Sequence, residues 1–322
     1  MKSFYTIYNT DFANLTDDTS AANKALGKTL INSTQQVVLG YADWPFLEMT
    51  GTRDTEDGVN YYQVPARMRK ITNVTVMVGT TVYRPRPVED SHFWNYLQSM
   101  SSGESDAAQY WYREGNLIRL YPTPASDDNT VTMRGRKGWK DLSLDDYTTG
   151  TIVTATLDDE TIVGGTTVWT GQKPCDNQWI RIAPTTGDNQ WYEIDSITDN
   201  TNLELVKPYE GVSIAAGTET YEIGEMSIIP GEYHDLLLWR SLAIAFSRYS
   251  MKKGDDATRA NRFWRLYDGG YEAGLSTKIG GLMKIMLQDQ LEKTEEVFLE
   301  PAEDSREDLR RFGIDNIIGE AW

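Results

Sequence analysis

The 322-residue sequence predicts an α+β fold: a helical bundle scaffold with an antiparallel β-domain, an inserted small all-β module and an extended C-terminal arm. Three observations carry that expectation. Apolar residues recur at helical spacing in 20–44, 230–253 and 256–275. Alternating, β-branched runs fill 60–139. From about Thr148 to Gly224 the texture shifts to Thr, Gly, Asp and Asn, with short strands at the close spacing of an all-β unit. The expected organisation is a host domain from 1–147 and 225–275, a module at 148–224 and an arm at 276–322.

The first helix has capping candidates at Asp18, Thr19 and Ser20. Leu26, Leu30, Ile31, Val37, Val38 and Tyr41 then form its apolar stripe. Pro45 ends it, because the residue before a proline avoids the α region, and Trp44 and Phe46 should fold back as a plug. Strands are expected over 60–65 and 71–88, with a hairpin at Gly79. Residues 89–100 read as a short helix presenting Phe93, Trp94 and Leu97. "AQYWYREGNLIRLYPTP" reads as strand, tight turn at Glu114-Gly115-Asn116 and strand, followed by a strand over 129–139.

Six strand-like runs fill 148–224, "TTVW" among them. The helix opening at Pro230 and Glu232 and stopping at Gly254 is apolar around most of its circumference and should be buried. The next, capped by Asp255 or Asp256, should turn Ala260, Phe263, Trp264, Tyr267 and Tyr271 inward. From Ser276 the chain has no obvious core pattern, and "DQLEKTEEVFLEPAEDSREDLRR" is densely charged with both signs. Phe298 and Leu299 interrupt it, and it ends in the spaced apolar residues Phe312, Ile314, Ile317, Ile318 and Trp322. A polar tether with apolar anchors predicts an arm that docks on another chain; the alternative is a terminal element packed on its own domain.

Composition narrows the function. The net charge is −17, the reverse of the cationic surface that displaces counterions from DNA. An acidic wall that DNA passes without sticking is compatible with it. Tyr and Trp dominate the 11% aromatic content and suit protein interfaces. The single cysteine, Cys175, has no internal disulfide partner and reads as a structural thiol. The N-terminal residues carry no apolar leader, and the longest apolar run, 236–246, is too short for a bilayer. Synthesis in the cytoplasm and no membrane partner are therefore expected, and the sequons at Asn14, Asn32 and Asn73 are chance matches.

No catalytic constellation emerges. His92 and His234 sit in helical patterns beside large apolar residues, and one cysteine with two histidines builds no zinc set. No HExxH, GxSxG, Walker or GxGxxG pattern occurs. Asp145-Asp146, Asp158-Asp159-Glu160 and Glu295-Glu296 read as solvated surface. The expectation is no enzyme, no cofactor and no metal. The best candidate for ligand contact is the module. Trp169, Trp179, Trp191 and Tyr192 suggest a sugar platform. Against that, alternation in "QWIRIA" and "QWYEIDSI" puts the isoleucines inward and leaves Trp179 and Trp191 near the outer face, where a protein contact is the stronger alternative.

Three blocks in order carry a resemblance. "INSTQQVVLGYADWPFLE", "NLIRLYPTPASDDNTVTMRGRKGW" and "IIPGEYHDLLLWRSLAIAFSRY" together resemble the head-to-tail adaptor proteins of tailed bacteriophages, also called neck, ring, connector or tail tubular gatekeeper-like proteins. The module interrupts the second and third blocks and is similar to small β-modules of phage virion proteins. The resemblance implies a virion structural protein in the neck, a homo-oligomeric ring, commonly of twelve subunits, below the portal. Such a ring extends the DNA channel and docks the next neck or tail component, while genomic DNA passes without specific binding. It implies that the arm, through Phe298, Leu299, Phe312, Ile314, Ile317, Ile318 and Trp322, binds portal protein or an adjacent subunit. Two rival readings are a tail tubular protein that binds tail fibres, and a carbohydrate-binding tail-associated protein using Trp179 and Trp191.

Overall fold

The computed structural model describes residues 1–100, 104–172, 178–182, 188–215, 217–249, 256–271 and 278–292. It is mixed α and β, and its sheets are antiparallel apart from one parallel strand pair. Three hydrophobic clusters organise it: one helical, one between two sheets of the host, one inside the module.

The helical cluster begins earlier than the sequence pattern suggests. Residues Thr6–Phe12 form a π-helical turn that runs into α1 (Ala13–Leu15). Phe4, Ile7, Tyr8 and Phe12 are buried there. The i→i+5 pairing of a π-turn widens the repeat, so the four-residue spacing Phe4–Tyr8–Phe12 stays on one face. This element lies on α2 (Ala21–Tyr41), where Gly27 admits Phe12: a Cβ at Gly27 would stand 2.8 Å from its ring. Ser20 caps α2 by accepting the Asn23 N–H, as expected. The buried stripe is Leu30, Ile31, Val38 and Leu39, whereas Val37 and Tyr41, placed inward by the sequence pattern, are exposed. Trp44 is fully buried and Phe46 stacks on it at 5.7 Å, so the plug forms. The Trp44 indole N–H donates to Val38 O at 2.7 Å, satisfying one of the carbonyls a helix end leaves open.

The apolar helix after Pro230 comprises a 3-10 turn at Gly231–Tyr233, α4 (Asp235–Ile244) and a π-turn at Ala245–Tyr249; its predicted stop at Gly254 lies outside the described residues. It is buried, with Leu236, Leu237, Leu238, Leu242 and Phe246 in the helical cluster, as its apolar circumference requires. α5 (Asp256–Asp268) follows, shorter than the expected 256–275. Strands β15 (Gly269–Tyr271) and β16 (Lys278–Gly280) then pair as a two-stranded ribbon. The C-terminal arm expected from 276 does not start there. α6 (Leu282–Leu287), continued by a π-turn at Gln288–Glu292, buries Met283 and Met286 in the helical cluster. Five of its six residues are apolar, and Leu282 and Leu287 pack beside the two methionines.

The host β-region is two stacked sheets. One has the order β1-β8-β3-β4: β1 (Glu48–Asp54), β8 (Thr130–Lys137), β3 (Met68–Val78) and β4 (Thr81–Tyr83). The other has the order β2-β7-β6-β5: β2 (Tyr61–Gln63), β7 (Leu117–Tyr121), β6 (Tyr110–Glu114) and β5 (Arg86–Val88), with β5 and β6 parallel. Val74, Val76, Val131 and Met133 of the first sheet meet Tyr62, Trp111, Ile118 and Leu120 of the second. The turns at Gly79 and Gly115 have φ of 58° and 60°, which glycine adopts without strain. β1 was missed because "EMTGTRD" has little apolar content; it is an edge strand paired only to β8. α3 (Ser91–Ser99) buries Trp94 and Leu97, stacking Trp94 on Tyr112 at 5.4 Å, while Phe93 faces out.

The module is a six-stranded sheet of order β14-β11-β12-β13-β10-β9, formed by β9 (Thr151–Ala155), β10 (Thr161–Gly165), β11 (Gln178–Ile182), β12 (Trp191–Ile197), β13 (Asn202–Leu205) and β14 (Tyr221–Glu225). Bridges from Ile152 to Glu219 and from Ala155 to Ile214 bring β9 against the stretch leading into β14, so the sheet curls back on itself. "TTVW" is not a strand: Trp169 opens a 3-10 turn, Trp169–Gln172. Its indole is fully buried and donates to Tyr221 Oη at 2.9 Å.

Replacing Trp44 by Ala should cost about 3–5 kcal/mol, the usual range for a buried tryptophan. Trp44→Phe, which loses the Val38 bond but keeps a ring, should cost distinctly less. Urea unfolding midpoints of the two variants check the order.

Candidate interaction surfaces

Between β8 and the module, residues 139–146 run back along α2. Polar side chains of α2 hold them at regular intervals. Gln36 donates to Asp141 at 2.9 Å and Gln35 to Lys140 O at 3.0 Å. Asn32 makes a reciprocal pair with Leu142, accepting its N–H at 2.8 Å and donating to its carbonyl at 2.9 Å. Lys28 reaches Asp145 at 2.8 Å, and Tyr8 Oη donates to the same carboxylate at 2.5 Å. Leu142 enters the helical cluster between these bonds. From the module side, Glu225 Oε2 accepts the N–H groups of Ser143 and Leu144 at 2.6 and 2.7 Å.

Asp145 is exposed, as read, though held by Lys28 and Tyr8, whereas Asp146 is half-buried and is not solvated surface. Burial would raise the Asp145 carboxyl, but the bonds from Lys28 and Tyr8 outweigh it and hold it below the usual range. Asp146 goes the other way. Burial first, then a hydrogen bond with Glu222, push it up to about 8. Two ionised carboxylates cannot share a hydrogen bond, so the proton sits on Asp146, whose Oδ1 otherwise has no donor facing it. Its Oδ2 accepts from Ser3 Oγ at 2.7 Å. Glu222 stays ionised against Arg181 at 2.5 Å. Ser3 of the host, Asp146 of the connecting strand, and Arg181 and Glu222 of the module thus form one polar joint.

Alternation in β11 holds as read: Ile180 and Ile182 are fully buried. Trp179 and Trp191 are each half-buried. Trp191 is spoken for within the chain. The Arg181 guanidinium lies over its ring at 4.9 Å, and the ring rests on Gly224, where a Cβ would stand 3.3 Å from it and 2.7 Å from Ser3. Trp169 is core and Tyr192 is buried, so the proposed sugar platform of four aromatics does not assemble. Arg181 on the same face as Trp179 was visible in the period-2 pattern; its partner Glu222 was not, because the pairing needs the β11–β14 register.

Neither histidine forms a catalytic pair. His92 is exposed. His234 is buried: Nε2 faces Ile229 O at 2.9 Å and Nδ1 lies 3.2 Å from the Lys2 N–H. Nδ1 also lies 2.9 Å from Lys2 O, so a carbonyl faces each ring nitrogen, and burial lowers its pKa and favours the neutral ring. Its role is to hold the N-terminal segment on α4. Among the described residues no cluster of His, Cys, Asp or Glu has the geometry of a metal site. The arm residues Phe298, Leu299, Phe312, Ile314, Ile317, Ile318 and Trp322 lie outside the described residues.

Because Asp146 binds a proton in the folded state that the unfolded chain releases, stability should fall as pH rises from its ordinary value of 3.8 towards about 8. Asp146→Asn keeps an acceptor for Ser3 and a donor for Glu222 without a charge. It should lose less melting temperature than the wild type between pH 5 and pH 8; an equal loss would place the proton elsewhere.

A family model described as SU10 adaptor protein matches residues 5–170. The match spans the N-terminal helices, both host sheets, the stapled connection and the first strands of the module; the block at 228–249 lies beyond it. No curated protein matches the chain.

Proposed function

The chain belongs to the SU10 adaptor protein family, a phage head-to-tail adaptor family, and from that premise we propose that it assembles as a ring below the portal of the capsid. Membership supports a virion structural adaptor role in the neck, working with portal and tail components and without a catalytic task. No helix among the described residues is long and apolar enough to cross a membrane.

In this reading about twelve copies close a ring that extends the DNA channel and docks the next neck or tail component. A head-to-tail ring needs two different complementary faces per subunit, and the single observation that carries the reading is the family match over the region in which the host sheets, α2 and the module are tied into one frame. The excess of carboxylates keeps the channel from binding DNA through counterion release. The C-terminal residues Phe298, Leu299, Phe312, Ile314, Ile317, Ile318 and Trp322 anchor to portal or to the adjacent subunit. The module projects and meets a further virion component. Arg181 over Trp191 weighs against the sugar-binding alternative, since it occupies a face a sugar ring would stack on.

Negative-stain images of the purified protein, alone and mixed with portal, should show rings; a monomer under both conditions, retaining glycan and losing it on Trp191→Ala, would favour the carbohydrate reading instead. Deleting 298–322 should abolish portal association and leave the melting temperature nearly unchanged. A large drop in melting temperature would make the segment part of the core.

A further inference from the structure

On an acidic protein, one concave site is cationic. An open cavity of about 360 Å³ lies where the β6–β7 turn, the start of β3 and the exit of β8 meet. Arg67, Arg69, Arg113 and Lys140 line it with Asn116 and Trp139, and no acidic side chain does. Its walls are fixed. Arg113 donates to Arg69 O at 2.7 Å and to Gly115 O at 3.1 Å, and the Arg69 guanidinium lies over Trp139 at 4.5 Å. Burial, and then the like charge of Arg67, pull the neighbouring Lys137 below the usual lysine range, as crowded cations require. Guanidinium groups held by the backbone and by an aromatic face are arranged to receive carboxylates.

We propose that this cavity binds the acidic segment 295–308 of the same chain. That segment holds seven carboxylates, with Glu303-Asp304 and Glu307-Asp308 as adjacent pairs, against Arg306 alone, a net of −6 within a chain of −17. The chain leaves the described body at Glu292, where Asp289 is held by Tyr233 at 2.5 Å. From there to Glu303 an extended chain spans up to about 36 Å, while α2 from Lys28 to Gly40 measures only about 18 Å. That span is about twice the stretch of α2 whose Gly40 end faces Trp139 of the cavity. A carboxylate side chain enters such a cavity; a DNA duplex does not, and its phosphates are better served by a cationic stripe than by a pocket. The inference goes beyond the adaptor reading. It concerns the carboxylates of 295–308, which precede the apolar residues from Phe312 on and flank Phe298 and Leu299, and it holds whether or not rings form.

The test uses the full-length protein with the photo-reactive residue benzoylphenylalanine in place of Ala302, and mass-spectrometric mapping of the cross-links. Cross-links should fall in peptides containing 66–69, 113–116 or 138–140 and weaken as ionic strength rises. The double substitution Arg113→Glu, Lys140→Glu should reduce them about five- to tenfold, and adding Glu303→Lys, Asp304→Lys should restore them. Restoration excludes misfolding as the cause of the loss. Cross-links that fall elsewhere, or that ignore the double substitution in a variant of unchanged melting temperature, overturn the proposal. So does a short DNA duplex that displaces them and binds only while Arg113 and Lys140 are present, which would make the occupant nucleic acid.

Discussion

The connection at 139–146 depends on a simple constraint: a backbone that runs beside a helix without joining a sheet must still satisfy its polar groups. Here α2 supplies them from its side chains. Asn32 and Gln35 serve one half, and Glu225 of the module serves the other. Between these bonds Leu142 drops into the helical core. The same eight residues therefore terminate one sheet, fasten the module and close the helical cluster. Removing any one of these backbone bonds would leave a part-buried donor or acceptor without its partner, and such groups are costlier to leave unmade than they are rewarding to make.

The polar joint behind that connection has a different chemistry. Ser3, Asp146, Glu222 and Arg181 come from three parts of the chain, and their charges balance only if one carboxyl keeps its proton. The paired tryptophan, Trp191, lies under Arg181 and so shields one side of this joint. What looked like a ligand-facing aromatic is, in part, a cover over an internal ion pair.

Much of this was legible in the sequence, and the exceptions share physical causes. The Ser20 cap, the Gly79 and Gly115 turns, the buried α4 and the inward isoleucines of β11 each follow from local rules of spacing or turn chemistry. The N-terminal helix did not: Phe4, Ile7, Tyr8 and Phe12 stand at helix-compatible steps of three and four, but the run is short and polar residues interleave them. Trp169 was read as a strand residue because "TTVW" has strand composition; its burial depends on Tyr221, some fifty residues away. The joint and the stapled connection have no composition signature at all. Side chains bonding to a distant backbone leave no period in the sequence, and the host–module junction was accordingly the least readable part. The terminal apolar anchors remain a sequence-based expectation.

The seating of Met283 and Met286 has a mechanical consequence. Residues 293–322 are rooted in a helix whose methionines are buried among α4 and α5 and whose last turn is held by Tyr233. A pull on that terminus does not peel an edge strand one hydrogen bond at a time. It acts along the helix, against several buried side chains at once, and is passed to the layer that also grips the N-terminal segment through His234. Tension applied at one end of the chain is thereby shared with the other.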